Sequence, residues 1–409
     1  MQEQSNVALD ASRLTFNATP FNSLPMLQNC PEELSRIRRS EASIGVAGDR
    51  PPLRLLFALP GFHRVDRGAE IALLAVAREL ALSGELVTVI GSGDPRPDVP
   101  YHFRRVSSLS RERFEGFPKF PPLREETAWE DATFATNLIL KERLSDFDAT
   151  ITCAFPFTHW ALRLKSPARA AHVFVTQNGD WPSFNNASEY KFFNCDGLVC
   201  TNPEYFARNR QQWRCALIPN GVDTLRFAPG PSSRERFGLP TKGPVVLMVS
   251  ALIESKRVLD GIRAVAEFED AFLVVAGDGP LKDEARDLAS NLLPGRYRQF
   301  AVPASEMPYL YRSVDVFLHL SKAESFGNVF LEAAACGLPI IAHDSDRLRW
   351  ILGTDQYLCD TEDRQQLWQC LHSAISSGKK SAQLQMERFA WPLIATQYRV
   401  FIEAILSER

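Results

Sequence analysis

The sequence predicts an α/β protein built from two doubly wound parallel-sheet domains that face each other across a cleft. Its 409 residues exceed the usual length of a domain with a single hydrophobic core, which favours two domains. Short apolar runs alternate with stretches of helical periodicity, a pattern typical of strands buried on both faces of a parallel sheet. The pattern then starts again at residue 245, after a segment rich in Pro and Gly. Ligands of such folds bind beyond the carboxyl ends of the strands, so we expect the functional site in the cleft.

The first series of elements follows an irregular arm. Residues 1–50 mix Ser, Asn, Pro and charged residues without periodicity, which indicates no regular element. From Leu53, the run LRLLFALPGF predicts a buried strand that ends at Pro-Gly. The next stretch, GAEIALLAVARELALSG, predicts a helix that stops at Gly84, and LVTVIGSG predicts the second strand of a β-α-β unit. Further strands are predicted at 148–155, 172–179, 197–201 and 215–221.

The second series repeats this organisation. It opens with the strand VVLMVSAL and continues through the helix VLDGIRAVAEF, the strand AFLVVAGDGP, a helix near 281–292 and the strands VDVFLHLS and LPIIAH. No shorter repeat is visible. We therefore divide the chain into an arm (1–50), an N-terminal domain (51–225), a linker (226–243), a C-terminal domain (244–385) and a final segment (386–409).

Composition and charge exclude several classes of protein. The chain has 46 Lys and Arg against 49 Asp and Glu, a formal charge of -3, which gives no overall attraction for nucleic acid. Eight cysteines are scattered without a CxxC or Cys/His cluster, so we expect no metal site and a reducing, cytoplasmic location. Charged residues interrupt every long apolar stretch, and the N-terminus lacks the pattern of a signal peptide. The basic run RIRRS in the arm leaves a peripheral membrane contact open.

Two acidic residues flank a short break in the segment ESFGNVFLEAAACG, which starts at Glu324. We expect a helix to begin near Gly327, where unpaired backbone N–H groups and the helix dipole can hold a diphosphate. Glu332, inside that helix, can accept paired hydrogen bonds from a ribose diol. Glu324, before the helix, can do the same for a sugar beyond the phosphates. The spacing therefore matches a nucleoside diphosphate sugar laid across one helix end, although two solvated acids would also satisfy it.

Several longer segments resemble retaining family 4 glycosyltransferases of the GT-B fold, which have two Rossmann-like domains. The E-x7-E element lies within MPYLYRSVDVFLHLSKAESFGNVFLEAAACGLPII, which is similar to the family core. LIPNGVDTLRFAPG, LVVAGDGPL and the terminal FAWPLIATQYRVFIEAIL also resemble family segments. The resemblance implies metal-independent transfer from a nucleoside diphosphate sugar to a hydroxyl acceptor, in polysaccharide or glycoconjugate biosynthesis and without a cofactor. It also implies an acceptor-binding N-terminal domain, a donor-binding C-terminal domain and a final helix that crosses back.

The resemblance assigns roles to particular residues of the C-terminal domain. Glu324 resembles the acid that orients the donor sugar, and Glu332 the acid that binds the ribose. Lys256 matches a lysine that faces the diphosphate, whereas Ala251 stands where an arginine is usual, and we expect Arg257 to replace it. The catalytic set is thus Glu324, Lys256 and Arg257. The donor-binding set is Glu332, Phe326, Gly327, Asn328, Gly68, Gly277 and Val302, the last through its backbone.

The N-terminal domain departs further from the family. In GFHRVDRGAE, Gly68 matches the second glycine of a Gly-Gly loop and Arg67 replaces the first. Where the family often has a histidine, HVFVTQNGDWP provides an amide pair that we expect to replace it. An acid and an aromatic ring follow, which suit carbohydrate hydroxyls and a sugar face. The acceptor-binding set is therefore Gln177, Asn178, Asp180 and Trp181.

Other functions remain open at this point. A nucleotide-sugar epimerase or hydrolase would use the same ribose acid and diphosphate cations, with acid/base residues of its own. A non-catalytic descendant that binds nucleotide sugars would fit the missing arginine and histidine. The acceptor, a glycan, a lipid-linked sugar or a small molecule, is not defined by the sequence, and a lipid-linked one would place the protein at the inner face of the membrane. Nothing in the sequence indicates an oligomeric state.

Overall fold

The computed structural model describes residues 51–177, 179–180, 193–322, 324–377 and 386–409. Residues 52–409 belong to one compact unit. The predicted arm, Asn178 and Trp181 lie outside the described residues. Within the described ranges the chain forms two parallel sheets, as predicted, and the second begins at Val245.

The first sheet has seven strands in the order β3-β2-β1-β4-β5-β6-β7. They are β1 Arg54–Ala58, β2 Leu86–Gly91, β3 His102–Arg105, β4 Ala149–Cys153, β5 Ala171–Val175, β6 Gly197–Cys200 and β7 Cys215–Leu217. The central strands β4, β5 and β6 are buried along their whole length, because helices cover both faces. The strand order reverses beside β1, which creates a crevice at its carboxyl end.

The second sheet has six strands in the order β10-β9-β8-β11-β12-β13. They are β8 Val245–Val249, β9 Phe272–Ala276, β10 Tyr297–Phe300, β11 Val316–His319, β12 Ile340–His343 and β13 Tyr357–Cys359. Here the order reverses between β8 and β11, so the loops after these two strands border the second crevice.

Helices flank both sheets. The first series contains α1 Gly68–Leu82, α2 Glu126–Lys141, α3 Pro156–Lys165 and α4 Pro203–Asn209. The second contains α5 Val258–Ala266, α6 Lys282–Leu292, α7 Met307–Arg312, α8 Asn328–Ala335, α9 Asp346–Leu352 and α10 Arg364–Ser377, and the chain ends in α11 Trp391–Ser407. Across the described ranges, none of these helices has the length and apolar character needed to span a membrane.

The last helix packs on the first sheet, although it follows the second in sequence. Its buried residues Ile394, Tyr398 and Ile402 belong to the hydrophobic core that also contains Leu73 of α1. The entry into α11 is fixed by a backbone hydrogen bond of 2.8 Å from Val222 N to the carbonyl oxygen of Phe389. This helix therefore ties the end of the chain to the N-terminal domain.

Three strands were not predicted from the sequence, and each lies at a sheet edge. The sequences of β3 and β10 are HFRR and YRQF, in which polar residues lie among the aromatic ones. Strand β13 has only three residues. An edge strand needs less apolar surface than a central one, so it lacks the continuous hydrophobic run that revealed its neighbours.

Candidate active site

A cleft of about 510 Å³ lies between the carboxyl ends of the two sheets. The loops after β1, β4 and β5 and parts of α1 and α2 line one wall. The loops after β8 and β11 and the start of α8 line the other. Of the predicted site residues, the structure brings to this cleft Glu324, Lys256, Phe326, Gly327, Asn328, Gly68 and Gln177.

Glu324 follows β11 and lies in the cleft lining. Its Oε1 atom forms an ion pair with Lys256 Nζ and lies 3.0 Å from His319 Nε2. Burial alone would raise the pKa of Glu324, but the bonds to His319 and the charge of Lys256 outweigh it and lower the pKa to about 2. Glu324 is therefore an ionised, oriented acid at neutral pH.

The start of α8 faces the cleft next to Glu324. Gly327 occupies the N-cap position with a φ of 91°, and no side chain caps the helix. A Cβ atom on Gly327 would meet the ring of Phe330 at 2.6 Å, so both the backbone conformation and the space require glycine. The first backbone N–H groups of α8 are thus left available to an anionic ligand in the cleft.

Three amide side chains connect the two walls. Gln177 Nε2 donates to Asn220 Oδ1 at 2.6 Å, and Asn220 Nδ2 donates to Gln177 Oε1 at 3.0 Å and to Asn328 Oδ1 at 2.8 Å. A further bond of 2.7 Å runs from Asn202 Nδ2 to the carbonyl oxygen of Ser325. These bonds hold the Glu324 loop and the start of α8 against the N-terminal domain. The amide of Gln177 is therefore engaged with Asn220.

Glu332 has an environment opposite to that of Glu324. It lies on α8 outside the cleft lining, and its Oε2 accepts a hydrogen bond of 3.0 Å from the hydroxyl of Tyr311. Burial raises the pKa of Glu332 to about 7, because Tyr311 and the more distant charge of Arg226 compensate only part of the desolvation. Among the described residues, no donor meets its other carboxylate oxygen.

Arg257, expected to replace the arginine missing at Ala251, lies outside the cleft lining. Arg257 adopts a left-handed backbone conformation with a φ of 53°. Its guanidinium donates to Thr361 Oγ1 at 2.8 Å, to the carbonyl oxygen of Thr361 at 3.1 Å and to Asp260 at 2.9 Å. These bonds stabilise the unusual backbone and direct the charge away from the cleft.

Three other predicted site residues also lie outside the cleft lining. Gly277 packs against the loop after β8, and its N–H donates to the carbonyl oxygen of Phe300 at 3.1 Å. Val302 packs on the core of the C-terminal domain. Asp180 is buried and accepts a hydrogen bond from Asn209 on α4, so its carboxylate stabilises the N-terminal domain instead of facing the cleft.

Several cleft residues were not predicted. His319 ends β11, and its place at the carboxyl end of a predicted parallel strand was the signal that could have identified it. On the opposite wall, Glu70, Glu130 and Asp131 are nearly fully buried, and Arg67 lies among them. Across the described ranges, no group of three or more His, Cys, Asp or Glu side chains is arranged to hold a metal ion.

Comparisons with known proteins agree with this geometry. Residues 231–388 match the family described as "Glycosyl transferases group 1". A GDP-mannose-dependent phosphatidylinositol monomannoside mannosyltransferase of Mycolicibacterium smegmatis is 37% identical over 142 residues, which cover 31% of this chain and 37% of the relative. A lipopolysaccharide core biosynthesis glycosyltransferase of Rhizobium meliloti, LpsE, is 28% identical over 216 residues, or 51% of this chain and 62% of the relative. The chain thus matches less than two thirds of either relative.

Solved structures match over a larger part of the chain. Sucrose-phosphate synthase from Thermosynechococcus elongatus superposes with a TM-score of 0.69 at 19% identity, covering 87% of this chain and 100% of the other. Anabaena HepE, solved in complex with UDP and glucose, gives a TM-score of 0.66 at 19% identity, covering 86% and 100%. Similarity at this level of identity establishes the fold. Residues 231–388 therefore match the family of group 1 glycosyl transferases, on a chain that has the GT-B fold.

Proposed function

We propose that this protein is a retaining, family 4 glycosyltransferase, which moves a sugar from a nucleoside diphosphate sugar to a hydroxyl acceptor. One observation carries the proposal: Glu324 is held by Lys256 and His319 immediately before the uncapped start of α8, inside the cleft between the two sheets. The arrangement provides a fixed negative charge for sugar hydroxyls and, next to it, unpaired N–H groups for phosphate oxygens.

These residues would promote the transfer mainly by electrostatic stabilisation. The bond between the anomeric carbon and the β-phosphate oxygen breaks, and its electron pair leaves with the diphosphate. The acceptor oxygen forms the new bond on the same face of the sugar, and its proton ends on the released diphosphate or in solvent. Lys256 and the N–H groups of α8 stabilise the charge that develops on the leaving group. Glu324 fixes the sugar and offsets positive charge near the anomeric carbon.

The named relatives support a class of substrate. One is described as GDP-mannose-dependent and acts on a phosphatidylinositol mannoside, and another takes part in lipopolysaccharide core biosynthesis. By analogy with these names we propose a sugar-bearing lipid or polysaccharide acceptor, bound along the wall that contains Gln177. The described cysteines are all free and none is exposed, which supports a reducing, cytoplasmic location.

The test is a thermal-shift panel of uridine, guanosine and adenosine diphosphates and their common sugars, run in EDTA. We expect one nucleotide to raise the melting temperature, since a ligand of the native state stabilises it. That donor is then incubated with candidate acceptors, also in EDTA, because we propose metal-independent transfer. Free diphosphate together with a glycosylated acceptor would support the proposal. Diphosphate release with free sugar would indicate a hydrolase, a changed sugar without release would indicate an epimerase, and binding without turnover would indicate a non-catalytic descendant.

Nucleotide affinity should increase with pH if Glu332 binds the ribose. The diol donates hydrogen bonds to an ionised carboxylate, and the pKa of Glu332 is raised to about 7. The ionised fraction, and hence the affinity, should rise about tenfold between pH 6 and pH 8. Folding stability changes in the opposite direction with pH. The stabilisation that comes from protonated Glu332 is fully present below the ordinary pKa of a glutamate and is lost as pH rises through 7. Titration calorimetry at several pH values measures the affinity.

The matched control for this pH dependence is Glu332→Gln, which keeps the shape and the bond to Tyr311 but cannot ionise. Any slope that remains in this variant belongs to the phosphate groups of the ligand. Equal slopes in the two proteins would exclude an ionising Glu332 from the ribose site.

A surface next to the cleft fits a peripheral contact with an anionic membrane. Between β3 and α2, Leu109, Phe117 and Phe120 are exposed by 44%, 46% and 45%, and both phenylalanines pack edge-on against Trp129 of α2. Residues 104–124 contain six Lys or Arg and two Glu, in a chain that is acidic overall. Aromatic rings and basic residues together suit a membrane interface.

Flotation with anionic vesicles tests this surface. We expect the intact protein to float with the vesicles and the double variant Phe117→Ser/Phe120→Ser to lose most of the bound fraction. Leu225→Ser, which removes an isolated side chain exposed by 92%, should bind like the parent. If the parent protein stays unbound, or if the double variant binds equally well, this segment does not contact membranes.

A further inference from the structure

The described cleft lining contains few positively charged side chains for a diphosphate ligand. Among the described residues that line it, the Lys and Arg side chains are Lys256 and Arg67. Lys256 already forms an ion pair with Glu324, which neutralises much of its charge. The loop after β8 contributes Ala251 to the cleft, and Arg257 of the same loop is bonded to Thr361 and Asp260. The second positively charged side chain of the described lining, Arg67, lies on the opposite wall.

Arg67 lies on that wall, directly across from the start of α8. It occupies the N-cap position of α1, next to Gly68. A Cβ atom built on Gly68 would lie 3.9 Å from the Nδ2 atom of Asn328, the first residue of α8. The helix end proposed to hold the diphosphate and the backbone that carries Arg67 are thus neighbours across the cleft.

The guanidinium of Arg67 makes only long ion-pair contacts with Glu70 and Glu130. Its Nη1 atom lies 3.8 Å from Glu70 Oε1 and 3.9 Å from Glu130 Oε2, both longer than a hydrogen bond. Glu130 forms its close ion pair with Arg64 instead, and burial raises the pKa of Glu70. The charge of Arg67 is therefore only partly compensated by these two acids, and its side chain is 30% exposed.

We propose that Arg67, from the N-terminal domain, supplies the guanidinium that contacts the diphosphate of the donor. The inference rests on the proposed function and adds a catalytic residue to it. Arginine pairs with phosphate oxygens through parallel N–H groups, so the contact would grow stronger as negative charge accumulates on the leaving diphosphate. In this role Arg67 acts through hydrogen bonds and charge and transfers no proton. The donor site would then be complete only when both domains face the ligand.

The test compares the affinities of nucleoside mono- and diphosphates, measured by calorimetry with the uridine, guanosine and adenosine pairs. A hydrogen bond between charged groups contributes enough that Arg67→Ala should weaken diphosphate binding by about ten- to a hundredfold. Binding of the monophosphate, which lacks the β-phosphate, should change less than threefold, in keeping with a loss confined to that phosphate. Arg67→Lys should retain part of the affinity, because it keeps a charge without the planar fork.

A compensating substitution sharpens the test. Ala251 faces the same cleft, so Arg67→Ala/Ala251→Arg should recover diphosphate affinity relative to Arg67→Ala alone. Arg263→Ala is the matched control: it removes an exposed arginine of α5 outside the cleft lining, and it should leave the ratio of mono- to diphosphate affinity unchanged. Melting temperatures of all variants show whether each is folded.

The outcomes separate this inference from the proposed function. An equal loss of mono- and diphosphate affinity in Arg67→Ala, or the same selective loss in Arg263→Ala, would overturn the role of Arg67 while leaving the transferase proposal intact. If the parent protein binds none of the six nucleotides, both proposals fail together.

Discussion

Glu324→Gln should abolish most sugar transfer while leaving nucleotide affinity nearly unchanged. The substitution keeps the size of the side chain but removes the charge that Lys256 and His319 hold in place. Loss of one preorganised electrostatic group commonly lowers kcat by about a hundred- to a thousandfold, and we expect a fall in this range. Rates of diphosphate release under saturating donor and acceptor measure the effect, and calorimetry with the diphosphate alone measures affinity.

The contrast with Glu332 makes this expectation specific. Glu332→Gln should weaken nucleotide binding and raise KM for the donor. The effect on kcat should be smaller, because Glu332 lies on α8 outside the cleft lining. Parallel losses of kcat and affinity in the two variants would show that the acids share one role. A Glu324→Gln enzyme with normal kcat would remove the observation on which the proposed function rests.

The pH dependence of Glu324 has the opposite sign to that of Glu332. Its pKa is lowered to about 2, so the ionised form stabilises the folded state. That contribution is fully present above the ordinary pKa of a glutamate and is lost only as pH falls toward 2. Between pH 5 and 9 Glu324 stays charged, and pH changes in activity over this interval must arise from other groups.

The sequence was sufficient to predict the elements with the strongest local signals. Central strands such as β8 and β9 are continuous apolar runs, and Gly327 before an apolar helix marked the start of α8. Each of these features depends on a few neighbouring residues, so it can be recognised in a single sequence. The cleft position of Glu324 follows from them, because it lies between a parallel strand and the next helix.

Side-chain direction and contacts between distant segments were not predictable in this way. Arg257 has a left-handed backbone that is uncommon for a residue with a Cβ, and no local pattern indicated it. The bond between Asn220 and Asn328 joins residues 108 positions apart in the chain. Arg67 could be seen in the sequence as a departure from a glycine loop, but only the fold shows that it faces the cleft opposite Ala251.

Tyr398→Ala should cause the largest loss of stability, because α11 completes the core of the N-terminal domain. Tyr398 is 1% exposed and packs in the same core as Leu73 and Val76 of α1. Replacing a fully buried aromatic side chain by alanine removes apolar burial and leaves a cavity, which costs about 3–5 kcal/mol. Urea unfolding should therefore show a much lower midpoint with little change in slope.

The same helix provides the control. Val400, two residues further on, is 58% exposed, and Val400→Ala should change the free energy of unfolding by less than about 0.5 kcal/mol. A large loss in Tyr398→Ala and none in Val400→Ala would show that one face of α11 holds the first sheet together. The loop after β5 carries Gln177, so loosening this sheet should also weaken the bonds from Asn220 to Gln177 and to Asn328 at the start of α8. Equal, small effects of both substitutions would mean that α11 docks without contributing to the core, contrary to its burial.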